Sequence, residues 1–249
     1  MNITKSIKSL YQNLKHDAEE GKTASAKINF DFIRQSDADR TSYPYNLLIK
    51  ACYRGSMAHL AHDVYDWILD DNRNPDHYTF NSLIHCCALL DDFDKANRYL
   101  AVMQEYGLSP DDYTANNWID AAIKTNHLKE AIEKFLPLGL KVKIRKKTFC
   151  DTVYDAIDCH GYSQGAACVA ISIYLEKTEL IKKFQIITGA GMHSKKSGEM
   201  RDRVIKHIET NHPDMKVWCH PTNFGLLWVE QNDSVSRLSI LEPLSSDSV

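Results

Sequence analysis

Apolar and polar positions follow one rule over the first part of the chain and another after Lys147. Between Tyr78 and Leu90, Phe80, Leu83, Ile84 and Cys87 recur at helical spacing, and Asp91–Asp92 breaks the pattern. Ala96, Tyr99, Leu100 and Met103 then share one face of a second helix. Gly107 suits a left-handed C-cap, and Pro110 cannot extend a helix that has already closed. The pattern predicts a helical hairpin, and the hairpin repeats. Asn46, Asn81 and Asn116 lie 35 residues apart, as do Tyr43, Tyr78 and Tyr113; Ile49, Ile84 and Ile119; and Ala61, Ala96 and Ala131. Pro75–Asp76 recurs as Pro110–Asp111. Several registers at one period define an internal repeat, and small Ala at a common register lets paired helices approach closely. Such hairpins cannot bury their faces alone, so they are expected to stack into an α-helical solenoid. A degenerate unit is expected over residues 1–41, where Ala26 keeps the register and Leu10, Leu14 and Gly21 fit it loosely.

The period, the opening Tyr45-Asn46-Leu47-Leu48-Ile49 (with its counterpart Phe80-Asn81-Ser82-Leu83-Ile84) and the Gly-x-x-Pro-Asp close resemble the pentatricopeptide-repeat (PPR) family. Tetratricopeptide repeats prefer 34 residues and a Trp-rich opening, which is absent here. The resemblance covers three units over 42–146; the third closes from Gly139 to Arg145 without Pro-Asp. It implies single-stranded RNA binding, one base per repeat, read by a pair of side chains. By that resemblance the pairs are Asn46 with Asp76 and Asn81 with Asp111, the combination associated with uracil. Asn116 has Arg145 in the equivalent place, which leaves its base open. An amide offers both a donor and an acceptor to a base edge, and a nearby Asp can fix its direction. The competing reading is that these residues cap helices or bond loops. Tyr43, Tyr78 and Tyr113 are placed to flank bases, whereas Trp67, Trp118, Trp218 and Trp228 match core positions.

After Lys147 the pattern predicts a small α/β domain over 147–232, in the order βαβαββ with a mixed sheet. Its elements are a strand over Val153–Cys159, a buried helix over Gly165–Leu175, a strand over Phe184–Thr188, a helix over Gly198–Thr210, and closing strands Lys216–Cys219 and Gly225–Val229. Asp158-Cys159-His160-Gly161 ends the first strand. Thr188-Gly189-Ala190-Gly191 ends the second and leads through His193-Ser194-Lys195-Lys196 into a helix. Parallel neighbours would bring both motifs to the carboxyl ends of the strands, where such sheets bind ligands. Asp158 and His160, two apart on an extended chain, would share a face. The glycines admit a phosphate to backbone N–H groups, with Lys195 and Lys196 adding charge.

In this order the motifs resemble the small MutS-related (Smr) domain, with its Asp-x-His-Gly, Gly-x-Gly and His-Ser. Its pairing with PPR repeats is a known architecture. The family includes nicking nucleases and ribonucleases. Two positions depart from its pattern: Cys159 stands where Leu is usual, and Ala190 where a long polar or basic residue is common.

Composition narrows the partners. The 249 residues are 43% hydrophobic and 25% charged, with no apolar run near 18 residues, so no membrane partner is expected. Net charge is −3, but residues 141–206 carry 13 Lys/Arg against 7 Asp/Glu, and the remainder 17 against 26. The densest cluster, Lys141, Lys143, Arg145, Lys146 and Lys147, reads either as a solvated loop or as a phosphate-binding patch. Seven cysteines without a Cys-x-x-Cys argue for a reducing compartment. The start shows no secretory signal, so a cytoplasmic location is expected, with an organellar or exported one left open. Cys159-His160 and Cys219-His220 lack zinc-ligand spacing, so no metal ligand is assigned. Magnesium stays open, because no second carboxylate is placed for two-metal chemistry. The tail over 233–249 is Ser-rich and expected to be flexible.

The expectation is a single-stranded RNA-binding protein with endonuclease activity, acting on uridine-rich, structured or ribosomal RNA. Asp158 would orient His160 as general base or acid, Gly189 and Gly191 would hold the scissile phosphate, and His193 and Lys195 would stabilise developing charge. Lys143, Arg145, Lys146 and Lys147 would contact phosphates. The rivals are a non-catalytic RNA-binding adapter, a DNA-nicking nuclease and a helical protein-interaction scaffold.

Overall fold

The computed structural model describes residues 3–36, 41–178, 183–189 and 198–232. The chain forms two compact units, Met1–Leu140 and Lys141–Val249. The first is helical: α1 (Ile3–Glu20), α2 (Thr23–Ser36), α3 (Tyr43–Arg54), α4 (Leu60–Asp70), α5 (His77–Leu90), α6 (Phe93–Glu105), α7 (Asp112–Lys124) and α8 (Leu128–Phe135). These pair as antiparallel hairpins, and the first helices α1, α3, α5 and α7 pack each on the next. The Ala of each second helix (Ala26, Ala61, Ala96 and Ala131) is fully buried, as the close approach requires. Gly107 takes the left-handed conformation expected of it, at φ +72°. Asp91 closes α5 in the same region of backbone space, and Asp92 caps α6 through the Lys95 N–H.

The degenerate first hairpin is locked to the second by a backbone crossing. A Cβ at Gly21 would lie 2.8 Å from the Arg54 carbonyl carbon, and one at Gly55 would lie 2.3 Å from Thr23 Oγ1. No other residue type fits this turn. Trp118 is wholly buried, and its indole N–H donates to Asn97 Oδ1 at 2.8 Å, so the largest core side chain leaves no polar atom unpaired.

The second unit holds β1 (Ile144–Phe149), β2 (Thr152–Asp158), α9 (Gln164–Lys177), β3 (Lys183–Ile187), α10 (Glu199–Asn211), β4 (Met215–Cys219) and β5 (Leu226–Gln231). The sheet order is β1-β2-β3-β5-β4. Only β2 and β3 are parallel; the other pairs are antiparallel. The element order is thus ββαβαββ, one strand more than the βαβαββ expected from the sequence. The added strand is the basic cluster itself, so the solvated-loop reading of Arg145–Lys147 is corrected. All six residues of β1 are exposed, which removes the apolar alternation that reveals a half-buried strand. Cys150 and Asp151, both at positive φ, form the tight turn into β2. Because β1 pairs with β2, the division between units falls before Lys141 rather than after Lys146.

Alternation divides the sheet into two faces. Ile157, Ile186 and Leu227 are in register on one, together with Phe184 and Val229. On this face Tyr174 of α9 packs its ring on Phe184 and donates its hydroxyl to Asp155 Oδ2. Ala156, Gln185, Trp228 and Trp218 are in register on the other. There Trp228 meets Phe149 and Tyr154 edge-on.

Between α9 and α10, the buried Ser172 Oγ lies 2.9 Å from His207 Nε2 and 3.1 Å from His212 Nε2. Burial, reinforced by the charges of His212 and Arg203, pushes the His207 pKa down to about 4. Unfolding returns the imidazole to about 6.5, so between these values the unfolded chain binds a proton that the fold refuses. The contribution is therefore full above pH 6.5 and is lost as pH falls toward 4. Urea unfolding followed by Trp fluorescence should show the second unit losing about 2 kcal/mol between pH 7.5 and 5. His207→Gln should flatten that dependence; a variant with the wild-type slope would place the acid sensitivity elsewhere.

Candidate functional site

In the first unit, the chain builds the same small constellation twice. Asp76 N-caps α5, its carboxylate accepting from the Thr79 N–H at 2.9 Å while its own N–H donates to Thr79 Oγ1 at 3.1 Å. The same carboxylate accepts from Asn46 Nδ2, at 3.0 and 3.1 Å, and from Ser42 Oγ at 2.7 Å. Thr79 Oγ1 also donates to Asn46 Oδ1 at 2.7 Å. One period later Asp111 caps α7 through Thr114, and Asn81 Nδ2 donates to Asp111 at 3.2 Å. Thr114 donates to Asn81 Oδ1. Burial would raise the Asp76 carboxyl, but the hydrogen bonds from Ser42, Thr79 and Asn46 outweigh it and hold the pKa below the ordinary value. Asp111 is lowered in the same way, by Thr114 and Asn81 against burial.

The two readings of the sequence therefore merge: each Asp is at once a helix cap and the partner of an Asn. A carboxylate only accepts, so each amide must turn its nitrogen toward the Asp. One N–H and one lone pair of the amide remain for a ligand. The threonines completing each constellation were missed, although Asp-x-x-Thr at 76–79 and 111–114 repeats in the sequence as a capping signal.

Around Asn81 the face of α3, α5 and α7 opens into a cavity of ≈ 710 Å³, lined among others by Lys50, Tyr53, Arg54, Tyr78, His85 and Tyr113. Tyr78 and Tyr113 are each 76% exposed, unlike the four tryptophans. The third register differs. Asn116 Nδ2 donates to the Asp112 carbonyl of its own helix, and Arg145 lies on β1.

In the second unit, β2 and β3 run parallel with Asp158 beside Ile187, so their carboxyl ends are neighbours, as the motif order required. The strand stops at Asp158. The carboxylate turns the chain by accepting the His160 N–H at 3.0 Å, and the same oxygen meets imidazole Nδ1. The two side chains thus meet through a turn rather than by sharing a face of extended chain. The other carboxylate oxygen pairs with Arg145 Nη2 at 2.5 Å. Burial pushes this carboxyl up, but the His160 hydrogen bonds and the charges of His160 and Arg145 win, and its pKa lies below the usual range. Arg145 thus belongs to this site, a role its place in the repeat register concealed. Lys143 Nζ donates to the His160 carbonyl at 2.7 Å. Lys146 pairs with Asp155, and Lys147 is exposed.

With Nδ1 held by Asp158, Nε2 of the exposed His160 ring is the nitrogen turned toward Gly189. A Cβ on Gly189, already at φ +69°, would lie 3.2 Å from Nε2. Glycine keeps the space beside the imidazole open. Gly191, His193 and Lys195 lie outside the described residues, as does Ala190. Cys159 is buried, and burial pushes its thiol up to about 12. It packs as a small neutral side chain.

Residues 40–89 match the model of the PPR repeat family, and residues 78–108 match the PPR repeat. The chain carries PPR repeats over this stretch. The PPR domain of protein-only RNase P 1 from Arabidopsis thaliana, solved in complex with tRNA, has the same fold at a TM-score of 0.51 and 14% identity. The alignment covers 81% of this chain and 86% of that one. No curated protein matches the chain.

The shared carboxylate makes a stability prediction. Asp111→Ala should cost about 1 kcal/mol as a lost cap, and Asp76→Ala about 2 kcal/mol because the buried Ser42 hydroxyl loses its partner as well. Asn81→Ala, which leaves the cap intact, should stay within about 0.5 kcal/mol. Equal losses in all three, by urea denaturation, would mean that the caps do not hold the hairpins.

Proposed function

We propose that the chain is a single-stranded RNA-binding protein whose second unit, an Smr-like domain, cleaves the bound strand. The observation that carries the binding half is the repeated Asn–Asp–Thr constellation, presented twice with one orientation beside exposed Tyr78 and Tyr113. Each fixed amide offers a donor and an acceptor to a Watson–Crick edge, and tyrosines at the same period can stack between bases. Lys50 and Arg54 line the same cavity and favour a phosphate chain. A solved PPR domain of this fold sits on tRNA, which supports an RNA ligand. The Asn–Asp combination favours uridine by family resemblance.

The cleavage half rests on Asp158 and His160. Asp158 holds Nδ1 and would stabilise the imidazolium, while Nε2 takes the proton of the 2′-hydroxyl. The 2′-oxygen then attacks the adjacent phosphorus and the P–O5′ bond breaks. The products are a 2′,3′-cyclic phosphate and a 5′-hydroxyl, which takes its proton from solvent. Arg145 would lie against the charged phosphate, and Gly189 would let the phosphate approach Nε2. Gly191, His193 and Lys195 extend this assignment. Both oxygens of Asp158 are engaged, and no group of three His, Cys, Asp or Glu among the described residues suits a metal ion. No step is therefore routed through magnesium. Seven free thiols fit a reducing compartment, in line with a cytoplasmic location.

His160→Ala and Asp158→Asn should lower cleavage of uridine-containing single strands by ~10²–10⁴-fold while RNA affinity stays within a few fold. A 2′-deoxy residue at the cut should block the reaction, with or without EDTA. Wild-type rates in both variants would leave an RNA-binding adapter, and cutting of all-DNA strands would point to a nicking nuclease.

Sequence preference is a separate measurement. Oligo-U should bind more tightly than oligo-C or oligo-A, each good base contact discriminating by roughly 1–3 kcal/mol. Asn46→Ala and Asn81→Ala should each erode the preference. Equal affinity for all three homopolymers would show that the repeats hold RNA without reading it.

A further inference from the structure

On the sheet face opposite α9 lies a pocket of ≈ 370 Å³ that meets the proposed cleavage site only at Gly189. At its base is Gln185, in the middle of β3 and only 4% exposed. Its neighbours across the sheet are Ala156 and Trp228. Among the described residues the Gln185 side chain lines the pocket rather than a side-chain hydrogen-bond network. Its amide atoms are not sealed from solvent, so they reach the pocket and are open to a ligand. An amide at this point, lining a cavity, is a group waiting for a polar ligand.

The walls say what kind of ligand. Phe149 is 46% exposed, with the His220 ring edge-on to it at 6.1 Å. Lys147 stands on the same strand face as Phe149, two residues before it, and lines the pocket as well. An aromatic plane, an amide and a cation within one cavity match the flat π-face, the polar edge and the phosphate of a nucleotide. The cavity is of ligand size. Its remaining wall includes Gly189, whose Cβ position touches His160 Nε2. A second hollow of ≈ 320 Å³ shares Phe149 and His220 and continues past Trp218, over which Lys183 Nζ sits at 5.1 Å. The face thus offers a path for an extended strand as well as one seat.

We propose that this pocket seats one unpaired base of the RNA next to the scissile phosphate, with Gln185 reading the base edge, Phe149 stacking on the base and Lys147 holding a flanking phosphate. Its position beside the cut rests on the cleavage reading of His160. Base recognition does not, and so it can be tested in the cleavage-dead chain. The specificity of the second unit would then be set by Gln185, independently of the repeats.

The test uses the full chain carrying His160→Ala. The four ribonucleoside 5′-monophosphates are titrated while the Gln185 side-chain amide resonances are followed by NMR. The expected result is saturable shifts, with one base bound at least tenfold more tightly than the weakest. Gln185→Leu should bring all four within about twofold. Gln185→Glu, which keeps the polar position but only accepts, should re-rank the bases toward those that donate. A hexamer of the preferred nucleotide should bind more tightly than the monophosphate, and Lys147→Ser should remove that gain. Four equal affinities, a preference untouched by Gln185→Leu, or no shift of the amide would each overturn the pocket. A monophosphate as tight as the hexamer would overturn the strand as its ligand. A chain that shows Gln185-dependent binding but no cleavage in its His160 form would retain the pocket and lose the nuclease. A chain that cleaves with no base preference at the cut would do the reverse.

Discussion

Each boundary between the matched repeats is held by one carboxylate. Asp76 starts α5 by capping it, and the same atoms reach back to Asn46 on α3 of the preceding hairpin. Asp111 does the same for α7 and Asn81. A helical hairpin exposes an apolar face it cannot bury alone, so its order depends on the neighbour. Here the polar join between neighbours is also the device that aims the amide. The geometry of a proposed base contact is set when two hairpins dock, with no loop left to adjust it.

Much of this was legible because the repeat multiplies a weak signal. One Asn before an Asp means little, but Asn46, Asn81 and their Asp partners at one period cannot be coincidence. The buried alanines and Gly107 were readable for the same reason. The second unit has no repetition to help. Its inner strands declared themselves through Phe184–Ile187 and Leu227–Val229, whose apolar runs match burial on the sheet. Strand β1 was hidden because Arg145, Lys146 and Lys147 give no hydrophobic period. Its place in the sheet is fixed by pairing with β2 and not by any apolar face.

The same gap explains what was missed in the site. Asp158 and His160 stand two apart, and a short motif could be read. Arg145 reaches Asp158 only because the β1–β2 hairpin folds it across the strand, and a contact made by register is invisible to spacing along the chain. Gln185 lies in a strand whose apolar run marks it as buried, but its part in a pocket depends on neighbours from other strands.

Strand β1 carries a further consequence. It is the outer strand of the sheet among the described residues, and its side chains include Arg145, Lys146 and Lys147. An open edge of this kind is a template for pairing with a second chain, and lysines along it are a recognised way to forbid that pairing. Cations along this edge oppose the approach of a second strand to it. Neutralising them would expose Ile144, Thr148 and Phe149 on an unguarded edge. Self-association and loss of charge are thereby coupled in the same six residues.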